Sequence, residues 1–484
     1  MTDANVAAVV IMAAGQGVRM KSARAKVLHE VAGRSMIAHA IKAANALAPD
    51  RLVVVVGHQR EQVRKHLDQI APHALVAVQE QQLGTGDAVR SGLAALPDVS
   101  GEVVVTSGDV PLLEGETLRR LVADHRQAGS AVTVLTAIVP DATGYGRIIR
   151  EDGEVAAIVE HRDADQAQRE IGEINSGIYV FDSELLRDGL AALTSVNTQG
   201  ELYLTDVIAF ARQRGLRVGA HVLADYLQVE GVNNRIELAA RNAELNRRIL
   251  RGWMFEGVTV VDPDTTWIHA GVDLAADVTL KPGTSLEGAT SVAAGAVIGP
   301  DTTLIDVEVA ESAEVVRTHA VLAVIGAGAS VGPFSYLRPG TQVGEGAKIG
   351  AFVEAKNAQV GPGAKVPHLT YCGDAVIGEG ANIGAGTIFA NYDGVVKSVT
   401  HVGANTFVGS DSVLVAPLNI ADGSYVAAGS VITRDVGAGE LAVARGQQRN
   451  ITGWVDRRRA GTATQKSAND VAQTRDNTDG EDQE

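Results

Sequence analysis

At 484 residues the chain has room for two to four domains, each with its own core. Its net charge of −16 argues against a nucleic-acid partner, and no apolar run reaches the length needed to cross a membrane, so membrane insertion is not expected. The one cysteine, Cys372, excludes an internal disulfide and fits a reducing, cytoplasmic compartment.

The chain opens on MTDANVAAVVIMAAG, with no basic stretch before the apolar run. Residues 6–12 therefore read as a buried strand rather than a signal peptide. Further strands are predicted at 51–56, 74–78, 102–107 and 131–137, with helices over 36–47 and 86–95 between them. Strands alternating with helices imply a mostly parallel sheet covered on both faces. Ligands of such sheets bind beyond the carboxyl ends of the strands.

A Gly-rich turn, AAGQGVRM (13–20), follows the first strand directly. Gly15 and Gly17 allow backbone amides to approach an oxygen-rich ligand, and Arg19 and Lys26 supply charge suited to a triphosphate. The turn is neither the P-loop nor the full dinucleotide fingerprint, and taken alone it fits a plain tight turn equally well. Asp109 in SGDVP follows a strand, where a lone carboxylate can hold Mg²⁺ or simply cap a turn. QQLGTGDA (81–88) is a second Gly turn before a helix. GYGRI (144–148), EINSGIYVF (173–181) and VEGVNNR (229–235) each place Gly or Asn in an expected loop.

A connecting helix is predicted over 236–250. Beyond it aliphatic residues recur every six positions: Leu280, Leu286, Val292, Ile298 and Leu304; Ile325, Val331, Leu337, Val343 and Ile349; Val402, Val408, Leu414, Ile420, Val426 and Ile432. This period fits neither a helix nor a half-buried strand. It marks a β-solenoid of hexapeptides with a thin aliphatic core, which also explains why aromatics make up only 4% of the chain. The period breaks at KNAQ (356–359) and ANYDGVVKSVT (390–400), which read as inserted loops. Arg338, Lys356, His368, Tyr371, Asn382, Asn391 and Tyr392 gather around these breaks. Charged and aromatic groups have no place inside so thin a coil, and two cations near a histidine suit an anionic substrate and a proton acceptor. Cys372 falls on a core position and reads as a packing residue. The tail is polar and acidic and is expected to be disordered from 457.

AAGQGVRM with Lys26, LGTGDA, SGDVP, GYGRI and IVEHRDA (158–164) resemble the sugar-phosphate nucleotidylyltransferases. With the hexapeptide half, the chain to about residue 456 resembles the bacterial family of bifunctional N-acetylglucosamine-1-phosphate uridylyltransferases and glucosamine-1-phosphate N-acetyltransferases. The resemblance implies an α/β, Rossmann-like nucleotidyltransferase domain (1–231), a linker helix (232–252), a left-handed parallel β-helix acetyltransferase domain (253–456) and a tail (457–484). It implies that Met12, Ala13, Ala14, Gly15, Gln79, Gly84 and Thr85 cradle the uridine nucleotide, with Arg19 and Lys26 at its phosphates. Gly146, Glu160 and Asn175 would hold the N-acetylglucosamine moiety, and Asp109 and Asn233 would bind Mg²⁺. In the second half it implies His368 as general base, and Arg338, Lys356, Tyr371 and Asn382 around the sugar phosphate. Ala385, Asn391, Tyr392, Ser410, Ala428 and Arg445 would bind acetyl-CoA.

The implied reactions are acetylation of glucosamine-1-phosphate by acetyl-CoA, then uridylyl transfer from UTP with release of pyrophosphate. The product, UDP-N-acetylglucosamine, is a precursor of cell-wall polysaccharide, and a homotrimer is implied. Met12, Val18, Ala25, Ser107, Phe389 and Ala390 depart from the family's usual residues, and none of these departures removes a charged group. A solenoid serving only for trimerisation would not need the clustered Arg338, Lys356, His368 and Tyr371. A non-catalytic scaffold would not need Lys26, Asp109 and Asn233.

Overall fold

The computed structural model describes residues 5–481; residues 1–4 and 482–484, the latter part of the acidic tail, lie outside the described residues. The chain divides by contacts into two compact units, Met1–Phe352 and Val353–Glu484.

The first unit is built on a sheet whose strands run in the order Val218–Leu223, Val132–Ile138, Glu173–Asp182, Glu102–Ser107, Ala8–Ala13, Arg51–Val56 and Leu75–Val78. All neighbours in this order are parallel except Glu173–Asp182, which is antiparallel to the strands on either side and also to Arg147–Glu151 off this path. The strands predicted at 51–56 and 102–107 are found at those bounds. Alternate side chains enter two different cores: Val9 and Ile11 pack on one face, Ala8 and Val10 on the other. Both faces are thus covered, as near-continuous aliphatic strands require.

One expectation is overturned. EINSGIYVF does not form a loop; Glu173–Asp182 is a ten-residue strand. The Asn-Ser-Gly signal instead marks a register shift between Asn175 and Tyr179. Edge hydrogen bonds on both sides hold the strand through this irregularity, a tertiary effect that outweighs the turn propensity of its residues.

Several helices start where a short polar side chain caps them. Ser35 accepts from the Ala38 amide at 3.3 Å, and Asp182 accepts from the Glu184 amide at 2.9 Å. The connecting helix, Arg235–Phe255, is capped by Asn234, which accepts from the Ile236 and Glu237 amides, both at 2.9 Å. Glu237 reaches back to accept from the Asn233 amide at 2.6 Å. Asn242 accepts from the Ala32 amide at 2.7 Å, while the buried Asn246 donates to Thr266 O at 2.8 Å and accepts from the Ile268 amide at 2.9 Å. The helix therefore ties the nucleotide-type half to the first turn of the solenoid.

Within the first unit the solenoid is a coil of short parallel strands, each paired with the strand three further on, as Thr259–Val260 with Thr279–Leu280 and Trp267–Ile268 with Thr284–Glu287. The second unit repeats the pattern, as Glu354–Lys356 with Tyr371–Gly373. Every hexad aliphatic named above is buried. Two positions before the buried strand residue sits a second buried residue, in most turns small or hydroxylic. Thr284, Thr290, Thr387 and Ser412 are examples, each donating at 2.7 Å to the carbonyl three residues back. The buried hydroxyl thereby finds its partner in a corner carbonyl.

KNAQ is not an inserted loop. The step from Ala355 to Val360 is five residues instead of six, closed by Asn357 in a left-handed conformation (φ 45°). Asp306, Leu322 and Asp374 close other five-residue steps in the same way. In these steps the left-handed residue stands two places after the buried strand residue, where six-residue steps such as Val402 to Val408 have it three places after (Asn405), so the break in period is a shorter corner. The break at 390–400 is a true excursion. Residues 391–399 leave the coil and return through a bridge between Tyr392 and Lys397.

The tail also differs from expectation. Trp454–Arg458 and Ala463–Glu481 are helical, with no buried residue among those described. Disorder was expected because a polar, acidic composition cannot build a core. A helix satisfies its own backbone, and this stretch contains no proline and many good helix formers.

Candidate functional site

The carboxyl ends of four adjacent parallel strands converge in the first unit. Met12 lies beside Ser107 in register, Ala13 beside Val56, and the Gln79 amide donates to Val56 O at 2.8 Å. A cavity of about 260 Å³ opens there, at the place the sheet topology favours for a ligand. Its walls include Met12, Ala13, Ala14, Gly15, Lys26, Gln79, Gly84, Thr85 and Asp109, all expected at the site.

Local chemistry sets this wall. The buried Gln79 side chain donates to Gly84 O at 3.1 Å and to Asp87 Oδ2 at 2.9 Å, fixing the LGTGDA turn. Gly84 has φ 110°, and a Cβ there would stand 2.6 Å from Leu202 O. The segment around Leu202 straps the turn from outside: the Gly86 amide donates to Leu202 O at 2.8 Å, and the Leu204 amide donates to Thr85 Oγ1 at 3.1 Å. The strap brings Glu201 onto the wall. Sequence reasoning missed Glu201, which no local motif announces, and Gln82, which lies within QQLGTGDA and donates to Ala14 O at 2.6 Å.

Lys26 links the two expected metal ligands. Its Nζ lies 2.5 Å from Asp109 Oδ2 and 2.9 Å from Asn233 Oδ1. Ser107 donates to the other Asp109 oxygen at 2.6 Å. Asn233 is not part of the cavity wall itself. It is held at the site by the Asn234–Glu237 cap of the connecting helix. Arg19 is exposed on the turn Val18–Met20, outside the cavity wall.

Gly146, Glu160 and Asn175 form a second group. The Asn175 amide donates to Gly146 O at 2.9 Å, and a Cβ on Gly146 would stand 3.5 Å from both Asn175 Cβ and Glu160 Oε1. Tyr179, fully buried, donates to Asn175 Oδ1 at 2.8 Å. Burial, and then the charges of Asp163, Asp206 and Glu201, push the Glu160 carboxyl above the usual glutamate range, against a hydrogen bond from Thr205. Glu201 on the cavity wall and Thr205 at Glu160 belong to one short segment, so the two groups adjoin.

In the second unit, Lys356 and Tyr371 stand on paired strands, and Lys365 of the strand ending at His368 pairs with Asn382. The Tyr371 hydroxyl and the Asn391 amide nitrogen lie 2.5 Å and 2.8 Å from where a Cβ on Gly373 would be. Asn391 donates to Asp374 Oδ2 at 2.5 Å and Asn357 to Asp374 Oδ1 at 2.8 Å. Burial pushes the Asp374 carboxyl up, but these amides and the charges of Lys356 and Lys397 outweigh it and hold the carboxyl below the usual range. The Lys356 side chain in turn lowers Lys397, so two ammonium groups meet here. Lys397 was not anticipated; it lies in the 390–400 excursion.

His368 is exposed, and among the described residues its ring has no hydrogen-bond partner; its carbonyl accepts from Thr370 Oγ1 at 2.8 Å. Ala385 and Ser410 occupy matching corners of successive turns: the Asp411 amide donates to Ala385 O at 2.7 Å, and Gly429, next to Ala428, donates to Ser410 O at 2.8 Å. Arg445 is exposed just past Ala444, whose carbonyl accepts from the Val431 amide at 3.3 Å. Tyr392 is exposed, its hydroxyl on Gly394 O at 2.5 Å. Cys372 is fully buried and its thiol is pushed up to about 12 by burial, which suits packing and not nucleophilic chemistry. Arg338, in the first unit, lies over the Tyr336 ring at 6.0 Å.

Two family models match parts of the chain. A family model described as a MobA-like NTP transferase domain matches residues 9–167, and one described as bacterial transferase hexapeptide (six repeats) matches residues 322–354. The class is thus a nucleotidyltransferase joined to a hexapeptide acyltransferase. A Streptomyces coelicolor protein named bifunctional protein GlmU is 55% identical over 482 residues, spanning 99% of this chain and 100% of that protein. Proteins of the same name from Corynebacterium aurimucosum (52%, spanning 97% of each chain) and Micrococcus luteus (53%, spanning 96% and 97%) are similar throughout. The chain belongs to the bifunctional GlmU family. It is a transferase with two activities of UDP-N-acetylglucosamine synthesis, one using a nucleotide and one using acetyl-CoA. Among the described residues no helix is long and apolar enough to cross a membrane.

Proposed function

We propose that the first-unit cavity carries uridylyl transfer, in which N-acetylglucosamine-1-phosphate attacks the α-phosphorus of UTP and pyrophosphate leaves. The observation that carries this reading is the single ammonium shared by Asp109 and Asn233 at the cavity. Two oxygens that converge on one cation can converge on another. A pair of protein ligands suits Mg²⁺, which keeps several waters and takes phosphate oxygens as further ligands. Held by Asp109 and Asn233, it would offset charge on the phosphates. Met12, Ala13, Ala14, Gly15, Gln79, Gly84 and Thr85 hold the nucleotide, with Lys26 and Arg19 toward its phosphates. Gly146, Glu160 and Asn175 hold the sugar. The chain's contribution is charge neutralisation and in-line positioning, with no covalent nucleophile.

In the acetyl transfer, His368 takes the proton from the attacking amine of glucosamine-1-phosphate, which must be neutral to attack a thioester. Lys356 supplies charge for the phosphate, supported by the adjoining Lys397, with Tyr371, Asn382 and Arg338 as further sugar-phosphate residues. Acetyl-CoA lies along Ala385, Ser410 and Ala428, with Asn391, Tyr392 and Arg445. The functional division runs 1–231, 232–252, 253–456 and 457–484. A homotrimer and a cytoplasmic location complete the reading; repeated hexapeptides are compatible with oligomerisation, and the lone cysteine fits a reducing compartment.

The test is direct. Purified protein with glucosamine-1-phosphate, acetyl-CoA, UTP and Mg²⁺ yields UDP-N-acetylglucosamine by mass. Omitting UTP stops the sequence at N-acetylglucosamine-1-phosphate. Uridylylation of unacetylated sugar at an equal rate, or no dependence on Mg²⁺, overturns the scheme.

A further inference from the structure

Lys26 occupies the position that a metal ion would need. Its ammonium takes Asp109 Oδ2 and Asn233 Oδ1 together, and its side chain is only 12% exposed. The remaining Asp109 oxygen accepts from Ser107, so the whole carboxylate is engaged. The lysine stem is fixed as well: a Cβ on Gly17 would stand 2.6 Å from Lys26 Cβ, which places the stem directly against the Gly-rich turn. A divalent ion on the same two oxygens would come to about 2.0–2.1 Å from each. An ammonium that stayed in place would then face it at close range in a partly dry site, where like charges repel strongly. Ion and ammonium exclude one another. A lysine can yield, because its charge sits on a flexible four-carbon stem, and a triphosphate offers that charge new partners.

We propose that Lys26 is a resident counter-cation of the metal site. It keeps Asp109 and Asn233 together and closed to divalent ions until a nucleoside triphosphate draws the ammonium onto its phosphates, so that nucleotide and metal enter as one event. The inference rests on the reading of Asp109 and Asn233 as metal ligands. It gives Lys26 a second task besides meeting phosphates. It also makes the coupling reciprocal: nucleotide raises metal affinity by the factor by which metal raises nucleotide affinity.

The experiment measures Mn²⁺ binding to the full chain from the electron paramagnetic resonance of the free ion, with and without a non-hydrolysable UTP analogue whose own Mn²⁺ binding is subtracted. Unliganded wild type binds weakly, and the analogue strengthens binding. Lys26→Met, without nucleotide, binds Mn²⁺ about tenfold to hundredfold more tightly than wild type, because a charge-assisted competitor has gone. Adding Asp109→Asn to Lys26→Met abolishes that gain. Equal Mn²⁺ affinity of unliganded wild type and Lys26→Met overturns the proposal, while the metal reading survives if Asp109→Asn still loses the nucleotide-dependent binding. Tight binding retained in the double variant overturns the metal reading itself. Should Lys26→Met fail to fold, wild type decides: Mn²⁺ held as tightly without the analogue as with it rejects the counter-cation.

Discussion

The Ser107 hydroxyl donates to Asp109 Oδ1 at 2.6 Å while Lys26 holds Oδ2. The serine stands where the family resemblance places an aromatic residue more often. Here it fixes the rotation of the carboxylate, so that one oxygen faces Lys26 and Asn233.

Ser107→Ala should therefore slow uridylyl transfer by about twofold to tenfold, the loss of one hydrogen bond of roughly 0.5–1.5 kcal/mol. The Mg²⁺ concentration for half-maximal rate should rise with it, and acetyl transfer should be unchanged. Both rates measured on one preparation decide the matter. An equal fall in both would indicate a folding defect instead.

Gly84→Ala places a Cβ 2.6 Å from Leu202 O at a residue with φ 110°. The strap and the LGTGDA turn must separate, at a cost of about 1–3 kcal/mol. The expected outcome is a lower first thermal transition and a raised KM for UTP. A variant with unchanged transition and KM would show that the strap does not hold the turn.

Glu160 gives a pH test whose sign is fixed. Burial raises its folded pKa above the ordinary value of 4.5. Its stabilising contribution is complete below that value and is lost as pH rises through the raised one. Glu160→Gln does not titrate, so it should melt higher than wild type near pH 7, with the gap closing toward pH 4. Its KM for N-acetylglucosamine-1-phosphate should rise. A melting difference independent of pH would mean the carboxylate is not desolvated.

His368→Ala should lower the kcat of acetyl transfer by roughly 10²–10⁴, the usual worth of a general base. Uridylyl transfer should persist. Activity should partly return at higher pH, where more of the amine is already neutral. Wild-type kcat in an intact oligomer at neutral pH would remove His368 from the base role.

Some features were legible because they are local. Burial in a thin coil forces an aliphatic residue at each strand, so Leu280 to Leu304 and Val402 to Ile432 announce the solenoid. The same reasoning located the strands before the AAGQGVRM turn and Asp109. It misread KNAQ because a break in the period was taken for an insertion, and EINSGIYVF because it was judged on turn propensity alone. A left-handed Asn357 and a bulged strand reconcile the same residues with regular pairing.

The sequence by itself determined the alternating α/β half and the solenoid half, since both periodicities follow directly from backbone geometry, while its resemblance to the nucleotidylyltransferases pointed to most of the residues at the first-unit cavity. Only the tertiary structure brought Lys26 to Asp109 and Asn233, which lie 83 and 207 residues away, set Glu201 on the cavity wall, and paired Lys356 with Lys397 at Asp374. Such meetings depend on which loops the order of strands delivers to one end of a sheet, or to one corner of a coil. A linear period carries no record of that order, because each strand satisfies its own burial wherever in the sheet it is placed.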